Sequence, residues 1–275
     1  MELYLSDKKG VPIQKDMIGL FFEDINYAAD GGLYAEMIEN RSFEFLDCYG
    51  TVGDYYTKHD PGYAWEPTQE YGQGRMEYVM GSPLDRANPH YLRFTADYAG
   101  QGFANKAYDG LRLEQGKSYR ASFYARCVRY QGGLRVAAVK ERVEYAAAEI
   151  TCVSEEENAW HKWTRYEAVL TAKEDVRGAR FVLSLTQPGV VEFDFISLMP
   201  EDAVAGVFRR DLFELLKGLH PGFLRFPGGC IIEGNTLENR YRWKESVGRP
   251  ESRRNNFNRW AVHDTKQESG FHTCY

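Results

Sequence analysis

The sequence predicts an α/β fold interrupted by an all-β one, and three observations carry that prediction. Two hydrophobic segments far apart in the chain, beginning at Ile18 and Phe223, read as strands that deliver polar residues and glycines at their C-terminal ends. Parallel α/β barrels build their sites in this way. Residues 47–200 lie between them and hold repeated short β runs separated by turns. An amphipathic helix, Val207 to Leu219, stands immediately before the second of the two strands.

The first segment is Ile18-Gly-Leu-Phe-Phe-Glu-Asp-Ile-Asn26, and from Met17 the chain is apolar on both strand faces until Glu23. Continuous apolar character is expected of a parallel strand buried on both faces. Gly31-Gly32 then breaks the chain, and Leu33, Met37 and Ile38 follow at helical spacing. Residues 1–46 are therefore predicted to form a strand and a short helix.

The middle segment alternates. The predicted strands are Tyr91 to Thr95, Ser118 to Arg126, Leu134 to Val139, Trp163 to Leu170, Ala179 to Leu185 and Val190 to Leu198. Strands at this spacing suggest an antiparallel sandwich. Their order resembles the jelly-roll carbohydrate-binding modules, which close on a strand bearing an acidic residue just before Ser-Leu, here Val191-Glu-Phe-Asp-Phe-Ile-Ser-Leu198.

In residues 201–275 the predicted helix places Phe208, Leu212, Leu215, Leu216 and Leu219 on one face, and His220-Pro-Gly222 ends it. The strand Phe223-Leu-Arg-Phe226 follows. Strand, helix, strand is a βαβ unit, so the sandwich is an insertion between the first strand and its crossover helix.

Composition narrows the function classes. The net charge is −6 with both signs mixed along the chain, and no basic run marks a nucleic-acid partner; Arg253-Arg254 is read as a pair on a solvated loop. Five cysteines, at positions 48, 127, 152, 230 and 274, include no CxxC pair, and the six histidines lack metal-ligand spacing. No disulfide framework, metal or cofactor is expected. No run reaches membrane-spanning length, and the N-terminus carries no secretory pattern. These features predict a reduced, cytoplasmic protein. Aromatics at 15% suit sugar-binding surfaces and sandwich cores equally.

The residues that could carry chemistry gather at the two strand ends. Glu23 and Asp24 are adjacent and so point to opposite faces of a strand; one of them must serve structure, by capping or by pairing with an Arg. Gly228-Gly229 permits either a close approach of backbone to ligand or an ordinary turn. Cys230 has no Cys–His context and is read as a wall of a ligand pocket, not a nucleophile. Trp243 either stacks on a sugar ring or packs against the barrel. Tyr55, Tyr56, Tyr63 and Trp65 form either a sugar platform or a linker packed on its own domain.

These residues also carry a family resemblance. Gly-Leu-Phe-Phe-Glu-Asp-Ile-Asn, Ala-Asp-Gly-Gly-Leu-Tyr-Ala-Glu, Glu-Asn-Arg-Ser-Phe-Glu, Phe-Leu-Arg-Phe-Pro-Gly-Gly-Cys and Glu-Gly-Asn-Thr-Leu-Glu-Asn-Arg-Tyr-Arg-Trp occur here in that order. Together they resemble the start of the family-51 glycoside hydrolases, the α-L-arabinofuranosidases. The resemblance implies a TIM (β/α)8 barrel, incomplete in this chain, begun by 1–46, interrupted by a jelly-roll insertion at 47–200 and continued by 201–275. It also implies release of terminal arabinofuranosyl units from glycans with retention, by a protein that forms homo-oligomers in many members. It makes Glu23 a sugar-hydroxyl ligand and puts Cys230, beside Gly229, at a sugar-contacting position where other members have Asn. The family's acid/base and nucleophile are glutamates on later strands, the acid/base within an Asn-Glu pair, and this sequence has no Asn-Glu dipeptide. The expectation is a chain that ends before both catalytic glutamates and is inactive alone. The alternative is a non-catalytic sugar-binding protein working through 47–200; an enzyme using Glu36, Glu39 or Glu233 is a third reading.

Overall fold

The computed structural model describes residues 3–4, 7–25, 27–45, 61–152, 162–234, 236–238 and 240–255. Cys48, Tyr55, Tyr56 and Cys274 lie outside them. Two antiparallel sheets dominate. The first has five strands: β3 (Arg75–Val79), β4 (Tyr91–Ala96), β7 (Ser118–Arg129), β10 (Thr164–Thr171) and β12 (Gly189–Pro200), in the order β10-β7-β12-β4-β3. The second has six: β2 (Trp65–Pro67), β5 (Gly102–Asn105), β6 (Leu111–Leu113), β8 (Gly132–Lys140), β9 (Val143–Cys152) and β11 (Val176–Leu185). Their order is β2-β5-β11-β8-β9, with β6 also on β11.

Alternation explains why the sheets stack. In β11, Ala179, Phe181, Leu183 and Leu185 are buried while Arg177 and Arg180 face out. The inward faces meet through rings: Phe103 of β5 lies 5.2 Å from Phe94 of β4 and 5.2 Å from Phe193 of β12. Trp65 closes on Phe103 at 5.5 Å and on Phe43 at 5.5 Å. The aromatic richness therefore goes largely into the core, and Trp65 is a core residue whose Nε1–H donates to the Asn40 carbonyl at 2.8 Å.

The βαβ unit is present. β1 (Leu20–Phe21) pairs in parallel with β13 (Leu224–Arg225), in register Leu20 to Leu224 and Phe21 to Arg225. The crossover helix α1 (Arg210–Gly218) precedes β13, and the sandwich is inserted before it. Three expectations need correction here. The first strand is not buried on both faces: Met17, Ile18, Phe21 and Ile25 are exposed, because a two-stranded sheet has no second layer over its outer face. The apolar face of α1 is only half used: Leu212 and Leu216 join a small cluster around Ala29, Leu33 and Tyr34, but Leu215 is 70% exposed.

The third correction concerns residues 33–38, which are not a helix. A single irregular turn spans Ala29–Leu33, with Asp30, Gly31 and Gly32 outside helical backbone angles. Beyond it the chain is extended because its backbone groups are taken elsewhere. The Ala35 amide donates to Val207 O (2.7 Å), the Met37 amide to Leu198 O (3.0 Å), and Leu33 O accepts from Arg209 (2.9 Å).

This extended segment docks on the sandwich through buried polar side chains. Glu36 Oε1 accepts the amides of Met37, Ile38 and Leu198 at 2.9–3.0 Å; its Oε2 accepts Ser197 Oγ at 2.5 Å and Arg41 Nη1 at 3.3 Å. Asn40 Oδ1 accepts the Glu44 and Phe45 amides, and its Nδ2 donates to the Pro61 and Tyr63 carbonyls. Glu44 accepts the His90 amide at 2.7 Å. A second link comes from the 250–253 turn: Asn88 Nδ2 donates to Glu251 O and Arg253 O, and Tyr124 Oη to Glu251 Oε1. Arg253 is thus buried, its guanidinium on Gly248 O, and not on a solvated loop.

Phe103→Ala should cost about 3–5 kcal/mol, the range for truncating a buried aromatic, whereas Leu215→Ala on the exposed side of α1 should change stability by less than about 0.5 kcal/mol. Denaturant unfolding of both variants checks the contrast; equal losses would mean that α1 is covered.

Candidate functional site

The site grows from the C-terminal ends of β1 and β13. The Leu20 amide donates to Phe223 O and the Phe22 amide to Arg225 O, each at 2.9 Å, which fixes the two ends side by side. Two residues past the end of β1, Glu23 reaches across. Its Oε1 accepts the Gly229 amide at 3.1 Å and the Ile231 amide at 3.2 Å. The Gly228-Gly229 turn and the start of α2 (Cys230–Glu233) are therefore gathered on one carboxylate oxygen. Hydrogen bonds to an ionised acceptor are the stronger kind.

Gly228 is required by this contact. Its φ is +140°, and a Cβ there would lie 2.4 Å from Glu23 Cγ. The double glycine makes a sharp turn, and the close approach at Gly228 is to the Glu23 side chain. Gly229 is half-buried and Cys230 is exposed with a free thiol.

Asp24 takes the structural role. It is 1% exposed, and its Oδ1 accepts the Ala29 amide at 2.8 Å, capping the turn that follows. Burial, reinforced by the nearby Asp30 carboxylate, raises its pKa well above the ordinary value, against the lowering effect of the Ala29 amide.

Trp243 stands apart. It opens a short 3-10 turn, Trp243–Ser246, is 63% exposed, and has Lys244 Nζ 5.9 Å from its ring. It does not pack as a core residue. The Tyr241 amide, bonded to Ile232 O at 3.0 Å, ties this loop to α2. The structure thus joins Glu23 to Gly229 and the neighbouring Cys230, and leaves Trp243 on the surface of the following loop. Of the carboxylates in the third reading, Glu36 is saturated by the docking contacts, Glu39 is buried in the same segment, and Glu233 is exposed at the end of α2. Among the described residues no group of three or more His, Cys, Asp or Glu could hold a metal ion, and no helix is long and apolar enough to cross a membrane. Sequence reasoning missed the Ile231 amide, which carries no side-chain signal.

A broad groove of about 960 Å³ lies elsewhere, on the outer face of the six-stranded sheet. Ion pairs occupy much of its wall, Arg180 with Glu66 and Arg135 with Glu144, and Tyr71 is its one aromatic lining residue.

Known proteins resemble this chain along most of its length. The family profile of the alpha-L-arabinofuranosidase 1 domain matches residues 215–275. Alpha-L-arabinofuranosidase 1 of Arabidopsis thaliana is 32% identical over 276 residues, spanning 94% of this chain and 38% of the relative. The extracellular exo-alpha-L-arabinofuranosidase of Streptomyces chartreusis is 34% identical, over 94% of this chain and 30% of that protein. An arabinose-bound family-51 α-L-arabinofuranosidase superimposes with a TM-score of 0.76 at 26% identity, over 92% of this chain and 40% of that one. Over nearly its whole length the chain is thus similar to glycoside hydrolases. The ones it resembles are α-L-arabinofuranosidases, among them a family-51 member. It spans about two fifths or less of the length of these relatives.

The raised Asp24 pKa sets a pH dependence. The folded state holds this proton more tightly than the unfolded chain, so the stabilisation is fully present below the ordinary carboxylate pKa and is lost as pH rises through the raised value. Asp24→Asn keeps an oxygen for the Ala29 amide and removes the titration. Its thermal midpoint should exceed that of the parent by a few degrees near pH ~7 and converge with it in acid; parallel curves at every pH would show that Asp24 does not titrate on unfolding.

Proposed function

We propose that this chain supplies one wall of the sugar site of an α-L-arabinofuranosidase that releases terminal arabinofuranosyl units from arabinose-containing glycans. One observation carries the reading. In a chain alignable with arabinofuranosidases over 94% of its length, Glu23 at the end of one parallel strand organises the Gly-Gly-Cys turn at the end of the next. Strand ends of this kind are where α/β barrels bind substrate. On this reading the Glu23 carboxylate fixes the turn and contacts sugar hydroxyls, Gly229 and Cys230 line the pocket, and Trp243 is a stacking surface at its rim.

The reaction follows the retaining pattern. One carboxylic acid protonates the leaving oxygen, a second carboxylate attacks the anomeric carbon, and water then releases the sugar, with the two carboxyl groups about 5–5.5 Å apart. We assign both groups to glutamates outside these 275 residues, since the sequence holds no Asn-Glu pair and Glu36 is saturated by structural hydrogen bonds. The sugar-binding alternative is less well supported: the sandwich is bound into the flanks by Glu36, Asn40 and Asn88, and much of its open groove is lined by ion pairs.

The test is hydrolysis of an aryl α-L-arabinofuranoside by the whole protein that contains this chain, with the anomer of the first product read by NMR. Release of arabinose with retention is expected. Glu23→Ala should lower kcat/KM by about 10–100-fold, the equivalent of losing a hydrogen bond to a charged group. A whole protein that leaves arabinofuranosides intact but cleaves another glycoside would overturn the reading.

A further inference from the structure

The sandwich contains two thiols that the proposed sugar site does not use. Cys127 lies in β7, opposite Val191 of β12 in the five-stranded sheet. Cys152 ends β9, opposite Gly132 at the start of β8 in the six-stranded sheet. The chain passes from β7 to β8 through only Tyr130 and Gln131. That short crossing brings the end of β7 and the start of β8, with Cys152 beside it, to the same end of the sandwich.

The side chains meet in the core between the sheets. Cys152 is buried within it, and Cys127 packs against it from a half-buried position. Both thiols are free, they belong to the same buried cluster, and Tyr166 of β10 packs against that cluster beside them. Isolated buried cysteines behave as small hydrophobes. Two that share one core cluster, on strands of different sheets, form a candidate dithiol.

We propose that Cys127 and Cys152 are a reversible modification site that closes to an inter-sheet disulfide on exchange with a small disulfide such as oxidised glutathione. Cys127, the more accessible thiol, loses its proton and attacks one glutathione sulfur, expelling the first reduced glutathione. Cys152 then attacks the Cys127 sulfur of the mixed disulfide and expels the second. One S–S bond breaks and one forms; the protein gives up two electrons and two protons, and the oxidant takes them up as two thiols. Accessibility sets this order: the neighbouring Cys152 and burial raise the Cys127 pKa, but Cys127 is the half-buried thiol that an oxidant can reach, whereas Cys152 is fully buried. The bond would staple the two sheets across a loop that contains all of β8 and most of β9.

The test is to equilibrate the full chain with oxidised glutathione, block remaining thiols under denaturing conditions and map the peptides. The expected product joins the Cys127 and Cys152 peptides, loses two hydrogens in mass, reverts with dithiothreitol and raises the thermal midpoint by roughly 5–10 °C. Cys127→Ser, at the half-buried position, tests the assignment without emptying the core: it should abolish both the cross-link and the shift. The proposal fails if the oxidant leaves Cys127 and Cys152 open to alkylation, if mapping places every oxidised sulfur on Cys48, Cys230 or Cys274, or if the midpoint shift survives in Cys127→Ser.

Discussion

A buried carboxylate holds the two parts of this chain together. Glu36 is drawn out of water, which costs several kcal/mol for an ion unless hydrogen bonds replace its solvation. Five donors do so: three backbone amides, one hydroxyl and one guanidinium. Two of the five, the Leu198 amide and the Ser197 hydroxyl, belong to the last strand of the sandwich. The strand register shifts between Asp194 and Ser197, and Phe195 takes a positive φ of 49°. That irregularity lets the segment approach, with the Ile196 amide donating to Arg41 O at 3.0 Å. The bulge, the extended path of residues 34–41 and the burial of Arg41 are thus one arrangement.

This accounts for what could be read from the sequence and what could not. All six strands with clear alternation were legible, as was the βαβ order, because periodicity reports which face a residue buries. Strand β9 was not: its Ala146-Ala147-Ala148 run has no β signal, and only pairing with β8 makes it a strand. β6 and β2 have three residues each, too few for a period. The helix expected at Leu33, Met37 and Ile38 failed for a different reason. Their spacing is helical, but tertiary hydrogen bonds to Val207 and Leu198 claim the backbone. Likewise the acidic strand before Ser197-Leu198 was visible as a pattern, while its use as the seat for Glu36 was not.

The candidate site obeys similar logic with less burial. That Glu23 and Asp24 must divide roles followed from strand geometry alone, and Asp24 indeed turns inward to cap the Ala29 turn. That Glu23 would bond the Gly229 and Ile231 amides was beyond the sequence, since an amide donor leaves no trace in residue type. The double glycine was suggestive only. Its meaning comes from the 2.4 Å that a Cβ at Gly228 would leave to Glu23, which makes glycine a condition of the carboxylate reaching the turn.

The two ends of the chain meet on unequal terms. The sandwich has a large fully buried apolar core, whereas the β1–β13 pair and α1 leave Ile18, Phe21, Leu215, Leu219 and Phe223 exposed. Two short strands contribute little stability by themselves. The position of Glu23 therefore depends on the sandwich at one remove. Asp24 fixes the turn at Ala29, that turn leads into the segment held by Glu36 and Asn40, and the 250–253 turn bonds Asn88 and Tyr124. The insertion thereby supports the Glu23 turn mechanically. A change that loosens the Glu36 seat should be felt at Glu23 through the backbone between them.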